Sequence, residues 1–216
     1  EDFMSTNEEQ LREKMTINMN DHTRPVRISY AKIFDKEKND LSGNMEYSAM
    51  FLIDKSDTKT VKQVKDAIHS AMTLKWGAET PNGVRIPLRD GDKSGPTGVP
   101  SGATPGEAPY GGHFFINAKN TTDAGPALWD QKGALSREFD KGKIASGDYV
   151  LCALNTYAYD NKSKGVGFGL QGVQLVRKGE ALGNSFDGSK VFGVIPVAVD
   201  VQGADAVSAD FDTMMG

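Results

Sequence analysis

From Tyr149 to Val176 the chain reads YVLCALNTYAYDNKSKGVGFGLQGVQLV, two long alternating runs joined by a short polar turn. Alternation of period two marks strands, because successive side chains leave a strand on opposite faces. Tyr149, Leu151, Ala153, Asn155, Tyr157 and Tyr159 share one face of the first run. On the second run Gly165, Gly167 and Gly169 leave one face bare. A chain built around such a hairpin is committed to a sheet. Bare glycines beside a strand of tyrosines let another backbone, or a flat base, come close.

The rest of the chain fits around this hairpin. RPVRISYAKIF, from Arg24 to Phe34, alternates as a strand with Val26, Ile28 and Tyr30 on one face and Arg27, Ser29 and Ala31 on the other. After the polar loop DKEKNDLSGN, Glu46 to Ile53 alternates again, with Tyr47, Ala49, Phe51 and Ile53 together, so the two runs read as a hairpin. Asp54 to Trp76 has helical spacing: Ser56 or Asp57 can cap it, and Val61, Val64, Ile68, Ala71 and Met72 form one stripe. Trp76 closes this helix and is expected to pack. Gly77 to Gly112 is dense in glycine and proline, which predicts an extended excursion over the surface. HFFINAK, from His113 to Lys119, is a short strand, and Trp129 follows in a polar stretch. The spacing predicts a mainly β, OB-fold-like five-stranded barrel with one inserted α-helix, long Gly/Pro-rich loops and flexible termini, since strands and helices do not alternate. Residues 1–20 read as an N-terminal arm or frayed helix and residues 21–183 as the domain. Residues 184–216 read as an acidic tail in which VFGVIPVAVDV can add one edge strand.

Charge divides unevenly along this plan. The whole chain carries −4, but residues 1–20 hold −3 and residues 183–216 hold −4, leaving +3 on residues 21–182. A mildly basic body with acidic ends suits a polyanion partner, with tails able to compete for the same groove. No run approaches the roughly 18 apolar residues of a membrane span, and the first residues lack the basic-then-apolar order of a secretory signal. The expected location is therefore the cytoplasm. The one cysteine, Cys152, lies in an apolar run where a small buried side chain is expected.

Six blocks carry a resemblance: RISYAKIF, YSAMFLIDKSDT before a helix, KWG, PLRDGD, YGGHFFINA, and SGDYVLCALNTYAYDNKSKGVGFGLQGVQLVRKGEALG. In this order, from Arg24 to Gly183, they resemble the phage single-stranded DNA-binding family first catalogued as a domain of unknown function. That resemblance implies an OB-fold, sequence-independent binding of single-stranded nucleic acid, no cofactor, and a role in phage replication, recombination or repair. More distantly the chain is similar to podovirus replicative single-strand binders, whose acidic tails recruit phage replication proteins. Here only Asp210 and Asp212 flank Phe211 at the tip, a departure from a dense acidic tail.

Holding any single strand requires flat side chains for stacking and cations for phosphates. Tyr30, Phe34, Phe114, Tyr157, Tyr159 and Phe168 are the stacking candidates. Arg27, Lys32, Arg89, Lys119, Lys162 and Lys164 are the phosphate candidates. Phe51, Phe115 and Tyr149 are assigned to the core, and Trp129 is the tryptophan better placed for contact. The densest cluster is TYAYDNKSKGVGFG. Asp90 and Asp92 lack the further carboxylates of a calcium loop, and His22, His69 and His113 are scattered, so no metal site is expected. No nucleophile elbow or phosphate-cradling loop is present, since GVGFGLQG enters a strand rather than a helix. The reading is a binding protein, not an enzyme. Its partner is single-stranded DNA, with RNA left open. The rival class is a phage structural protein that uses the β-domain to bind protein.

Overall fold

These alternating runs close into a ring in the structure, a computed structural model that describes residues 2–40 and 42–182. In chain order the elements begin with α1 (Asp2–Lys14), β1 (Thr16–Met19), β2 (Val26–Lys38), β3 (Met45–Asp54) and α2 (Thr58–Trp76). They continue with β4 (Arg89–Asp90), β5 (His113–Asn120), β6 (Ala127–Asp130), β7 (Gly133–Ala134), β8 (Tyr149–Asp160) and β9 (Lys164–Arg177). β2 pairs antiparallel with β3, and β3 with β5. β5 meets β9 in parallel at Ala118 and Phe168, and β9 runs antiparallel to β8 along its whole length. β8 then returns to β2 through Val150 and Tyr149 against Val26 and Arg27. Five strands, β2, β3, β5, β9 and β8, thus close on themselves with one parallel contact, the arrangement of an OB-type barrel.

Inside the ring lie Ile28, Phe51, Ile53, Ile116, Val150, Leu154, Phe168 and Leu170, all buried. α2 closes one side of this core with Val61, Val64, Ala67, Ile68 and Ala71, and Asp57 caps it by accepting from the Thr60 N–H at 3.2 Å. The Cys152 thiol is sealed beside Met19 and burial pushes its pKa well up, as befits a packing residue. No helix among the described residues is long and apolar enough to cross a membrane.

Three features depart from the sequence reading. Among the described residues there are two helices, not one, because Asp2–Lys14 is helical. Thr16–Met19 is a strand on β8, with Ile17 and Met19 buried in the core, so the sheet begins upstream of the boundary expected at residue 20. Four residues are too few for alternation to stand out from a polar stretch. The Gly/Pro-rich excursion is also more than a surface loop: its Val99 and Tyr110 bury Met50, Leu52 and Phe115 in a second small core. That core lies on the outward face of β3 and β5, because Leu52 and Phe115 pair across the strands on the side opposite Phe51 and Ile116. The strand expected at 191–201 and the acidic tail lie outside the described residues.

Candidate nucleic-acid interface

Along that outward face the chemistry changes from end to end. Where Leu52, Met50 and Phe115 project, the excursion covers them. Further along, the cross-strand pair Ser48 and Lys119 is left open and Asn117 stands opposite Met50. A groove of about 830 Å³ runs over this polar end. Asn39 and Ser42 of the β2–β3 connection border it, and Asn161 and Ser163 of the β8–β9 turn border it opposite. The two central strands and these two connections are where OB-folds bind oligonucleotides.

The tyrosines reach this groove because of the glycines. Tyr157 pairs with Gly167 and Tyr159 with Gly165. A methyl group on Gly167 would fall 2.7 Å from Tyr157 Cζ, and one on Gly165 would fall 2.4 Å from the Tyr159 hydroxyl. The rings therefore lie over bare backbone and line the groove, with centroids 6.5 Å apart and planes tilted by 49°. Glycine here makes room for the protein's own rings, which in turn offer their outer side. Tyr30 lines the same groove and is 60% exposed.

Cations surround these rings. Lys119 lies 3.4 Å from the buried Glu46 carboxylate, whose other oxygen accepts from Asn39 Nδ2 at 2.6 Å. Lys164 pairs with Asp160 at 3.5 Å, and Lys162 sits exposed in the same turn. Arg85 is placed by a backbone bridge to the hairpin: its N–H donates to the Lys164 carbonyl at 3.0 Å, and its carbonyl accepts from Val166 at 3.0 Å. Its guanidinium has no ion pair among the described residues. Lys32, paired with Glu37 at 2.7 Å, lies on a smaller depression that shares Asn39, Glu46 and Ser48 with the groove.

Of the twelve residues singled out in the sequence, Tyr30, Lys119, Tyr157 and Tyr159 thus line the groove, and Lys32, Lys162 and Lys164 flank it. The other five point their side chains elsewhere. Phe168 borders the groove but is only 1% exposed, and Phe34 is 8% exposed, so both are core side chains. For Phe168 the reason is alternation itself, which turns it inward with Val166 and Leu170 when the glycines face out. For Phe34 it is a break in the alternation of β2 between Lys32 and Glu37, where the adjacent Ile33 and Phe34 are both buried. Phe114 is half-buried beneath Lys55 and Lys65, 4.9 and 5.4 Å from its ring centre. Arg27 donates to the Gly147 and Glu180 carbonyls, at 3.1 and 2.7 Å, and so clasps the chain at the far end of the ring. Arg89 lies over the Phe115 ring at 4.9 Å, under the excursion. Of the tryptophans, Trp76 donates to Asp160 at 3.3 Å, and Trp129, 48% exposed on β6, is not among the groove's lining residues.

Arg85 and the small polar residues of the floor escaped the sequence reading, because neither alternation nor aromatic spacing marks them. The Asp90 and Asp92 pair serves a structural purpose: both carboxylates hold Lys55, Asp92 at 2.6 Å. Among the described residues no cluster suited to a metal ion is present.

A family model described as the single-stranded-DNA-binding protein of Enterobacter phage Enc34 matches residues 15–203. The chain belongs to this family. A relative of the Enc34-type chain described here, protein p50 of Acyrthosiphon pisum secondary endosymbiont phage 1, is 31% identical over 167 residues, covering 72% of this chain and 82% of its own. Among solved structures, the Enc34 single-stranded DNA-binding protein in complex with single-stranded DNA matches with a TM-score of 0.61 at 21% identity. That match spans 78% of this chain and 88% of the Enc34 protein. A second structure of the Enc34 single-stranded DNA-binding protein matches with a TM-score of 0.58 at 20% identity, over 81% of this chain and 87% of its own. At this identity the structural likeness establishes the shared fold.

Proposed function

We propose that this member of the Enc34 family binds single-stranded DNA without sequence preference, in the groove between the β2–β3 connection and the β8–β9 turn. Tyr30, Tyr157 and Tyr159 stack on bases, and Arg85, Lys119, Lys162, Lys164 and Lys32 meet phosphates. The observation that carries this reading is the pair of tyrosines spread over Gly165 and Gly167 inside that groove. A ring held by backbone on one side and open on the other is a platform for any base, because every base has a π-face. The floor is polar but small, with Ser48 and Asn117, and so leaves space for an unpaired strand. The function inferred from this arrangement is coating rather than catalysis. Protecting exposed single strands in the infected cell during phage replication, recombination or repair follows from such an activity.

Titration with oligothymidine at low salt, following tryptophan fluorescence, tests the proposal directly. Trp76 reports from beside the groove through its bond to Asp160. Saturable binding that a duplex of equal length does not match is the expected result, and absence of binding at low salt would overturn the proposal.

A further inference from the structure

Three strands bring one row of polar side chains to the groove. Lys32 of β2 pairs with Ser48 of β3, and Ser48 pairs with Lys119 of β5. Directly opposite residues share a face of a sheet. Neighbouring strands lie about 4.8 Å apart, so the two lysine side chains flank the Ser48 hydroxyl from either side. Ser48 is half-buried, and its hydroxyl makes no hydrogen bond among the described residues. A hydroxyl donor between two ammonium groups suits the oxygens of a phosphate.

Beside this row stands another of opposite sign. Glu37 and Glu46 face each other across β2 and β3, and like charges directly opposite destabilise a sheet. Glu46 is 4% exposed, and one of its oxygens accepts from Asn39 Nδ2 at 2.6 Å. Its Oε2 is closed off from solvent and accepts no hydrogen bond among the described residues, with the Lys119 ammonium 3.4 Å away. A buried carboxylate only half satisfied, set against a second carboxylate, weakens the fold rather than supporting it. Its use lies in the groove that it borders, two residues from Ser48. We infer that Lys32, Ser48 and Lys119 form a phosphate seat, and that Glu37 and Glu46 occupy its lysines in competition with the strand, holding the affinity below what the cations alone would give. The two exchanges differ. The Lys32–Glu37 pair is exposed, and such pairs contribute little and yield readily to phosphate. Lys119 cannot leave a buried carboxylate uncompensated. It must bridge Glu46 and the phosphate, which the spacing of about 7 Å between alternate residues of β3 allows.

This inference rests on the proposed function, and the experiment separates the two. Oligothymidine affinity, its salt dependence and the thermal midpoint are measured for the parent, Glu46→Gln, Lys119→Gln, the double Glu46→Gln/Lys119→Gln variant and Ser48→Ala. Glutamine keeps an acceptor for Asn39 and removes the charge that holds Lys119. Glu46→Gln is expected to bind about 3- to 10-fold more tightly at low salt, with a slope of log K against log salt steeper by up to about 0.7. Its midpoint should stay within about 4 °C of the parent. The gain should vanish in the double variant, measured against Lys119→Gln, because it acts through that lysine. Ser48→Ala should bind about 3- to 10-fold more weakly at an unchanged slope, since a hydrogen bond is lost but no cation. A Glu46→Gln protein that binds no tighter than the parent, a gain that survives without Lys119, or a Ser48→Ala protein that binds like the parent would overturn the inference and leave the function standing. A Glu46→Gln midpoint far below the parent, with weaker binding, would assign the carboxylate to the fold alone and overturn it equally. A parent that binds no oligothymidine would overturn both.

Discussion

Tyr157 and Tyr159 serve the fold and the groove with the same atoms, since each ring fills the volume that its paired glycine leaves open. Truncation to alanine would remove a platform and uncover backbone at once, confusing the two roles. Leucine keeps the cover and removes the flat face. In Tyr157→Leu/Tyr159→Leu, stacking worth about 1–3 kcal/mol per base is lost twice. Oligothymidine affinity should fall by about 30-fold or more at unchanged salt, while urea unfolding stays within about 1 kcal/mol of the parent. Unchanged affinity in a folded variant would remove these rings from the site. The rings were legible in the sequence because alternation set them opposite the glycines. The same alternation also sends Phe168 inward, and that consequence belongs to the reading as much as the first. Phe34 could not be placed this way: β2 loses strict alternation after Lys32, where Ile33 and Phe34 are both buried, and nothing in RISYAKIF marks the break.

Elements with long, regular patterns follow the sequence closely: β2, β3, α2, β5, β8 and β9 all fall within a few residues of their periodic runs. β1 does not, because four residues hold only two inward positions, and one of them, Ile17, is fully buried. If β1 is integral to the ring's packing, Ile17→Ala should cost about 2–5 kcal/mol by urea denaturation. A cost below about 0.5 kcal/mol would return these residues to the status of an arm. The excursion was legible only as a breaker of regular structure, since its order comes from contacts distant in sequence. One of these is the strap in which Asp90 and Asp92 hold Lys55. Burial works to raise the Asp90 pKa, but Lys55 and the Asp92 N–H outweigh it, so the group lies below the usual carboxylate range; the bond to Lys55 lowers Asp92 as well. Carboxyls depressed in the folded state contribute stability above their unfolded pKa of about 4 and lose it as pH falls through the folded values. The thermal midpoint of the parent should therefore fall more steeply below about pH 4 than that of Lys55→Met, in which the part of the depression due to Lys55 is gone. Parallel curves would show that the strap does not contribute to stability.

For the molecule as a whole, the question is how a chain of net charge −4 holds a polyanion. The answer proposed here is local: cations gathered at one groove act on a bound strand over a Debye length of about 10 Å, so their arrangement there counts for more than the net charge of the chain. Several of those cations are already engaged, Lys119 by Glu46, Lys164 by Asp160 and Lys32 by Glu37, whereas Arg85 and Lys162 have no ion pair among the described residues. A lysine that exchanges a carboxylate for a phosphate neutralises less new charge than an unpaired one. Single strands contribute a slope of about −0.7 in log K against log salt per neutralised phosphate. Two unpaired cations set a floor near −1.4 and all five a ceiling near −3.5. A salt series on the parent should fall between these limits. Arg85→Gln should flatten the slope by about 0.7 and Lys119→Gln by less. If Lys119→Gln flattens it as much as Arg85→Gln does, the internal carboxylates do not compete with DNA. If neither variant alters the slope, the strand does not lie along this groove.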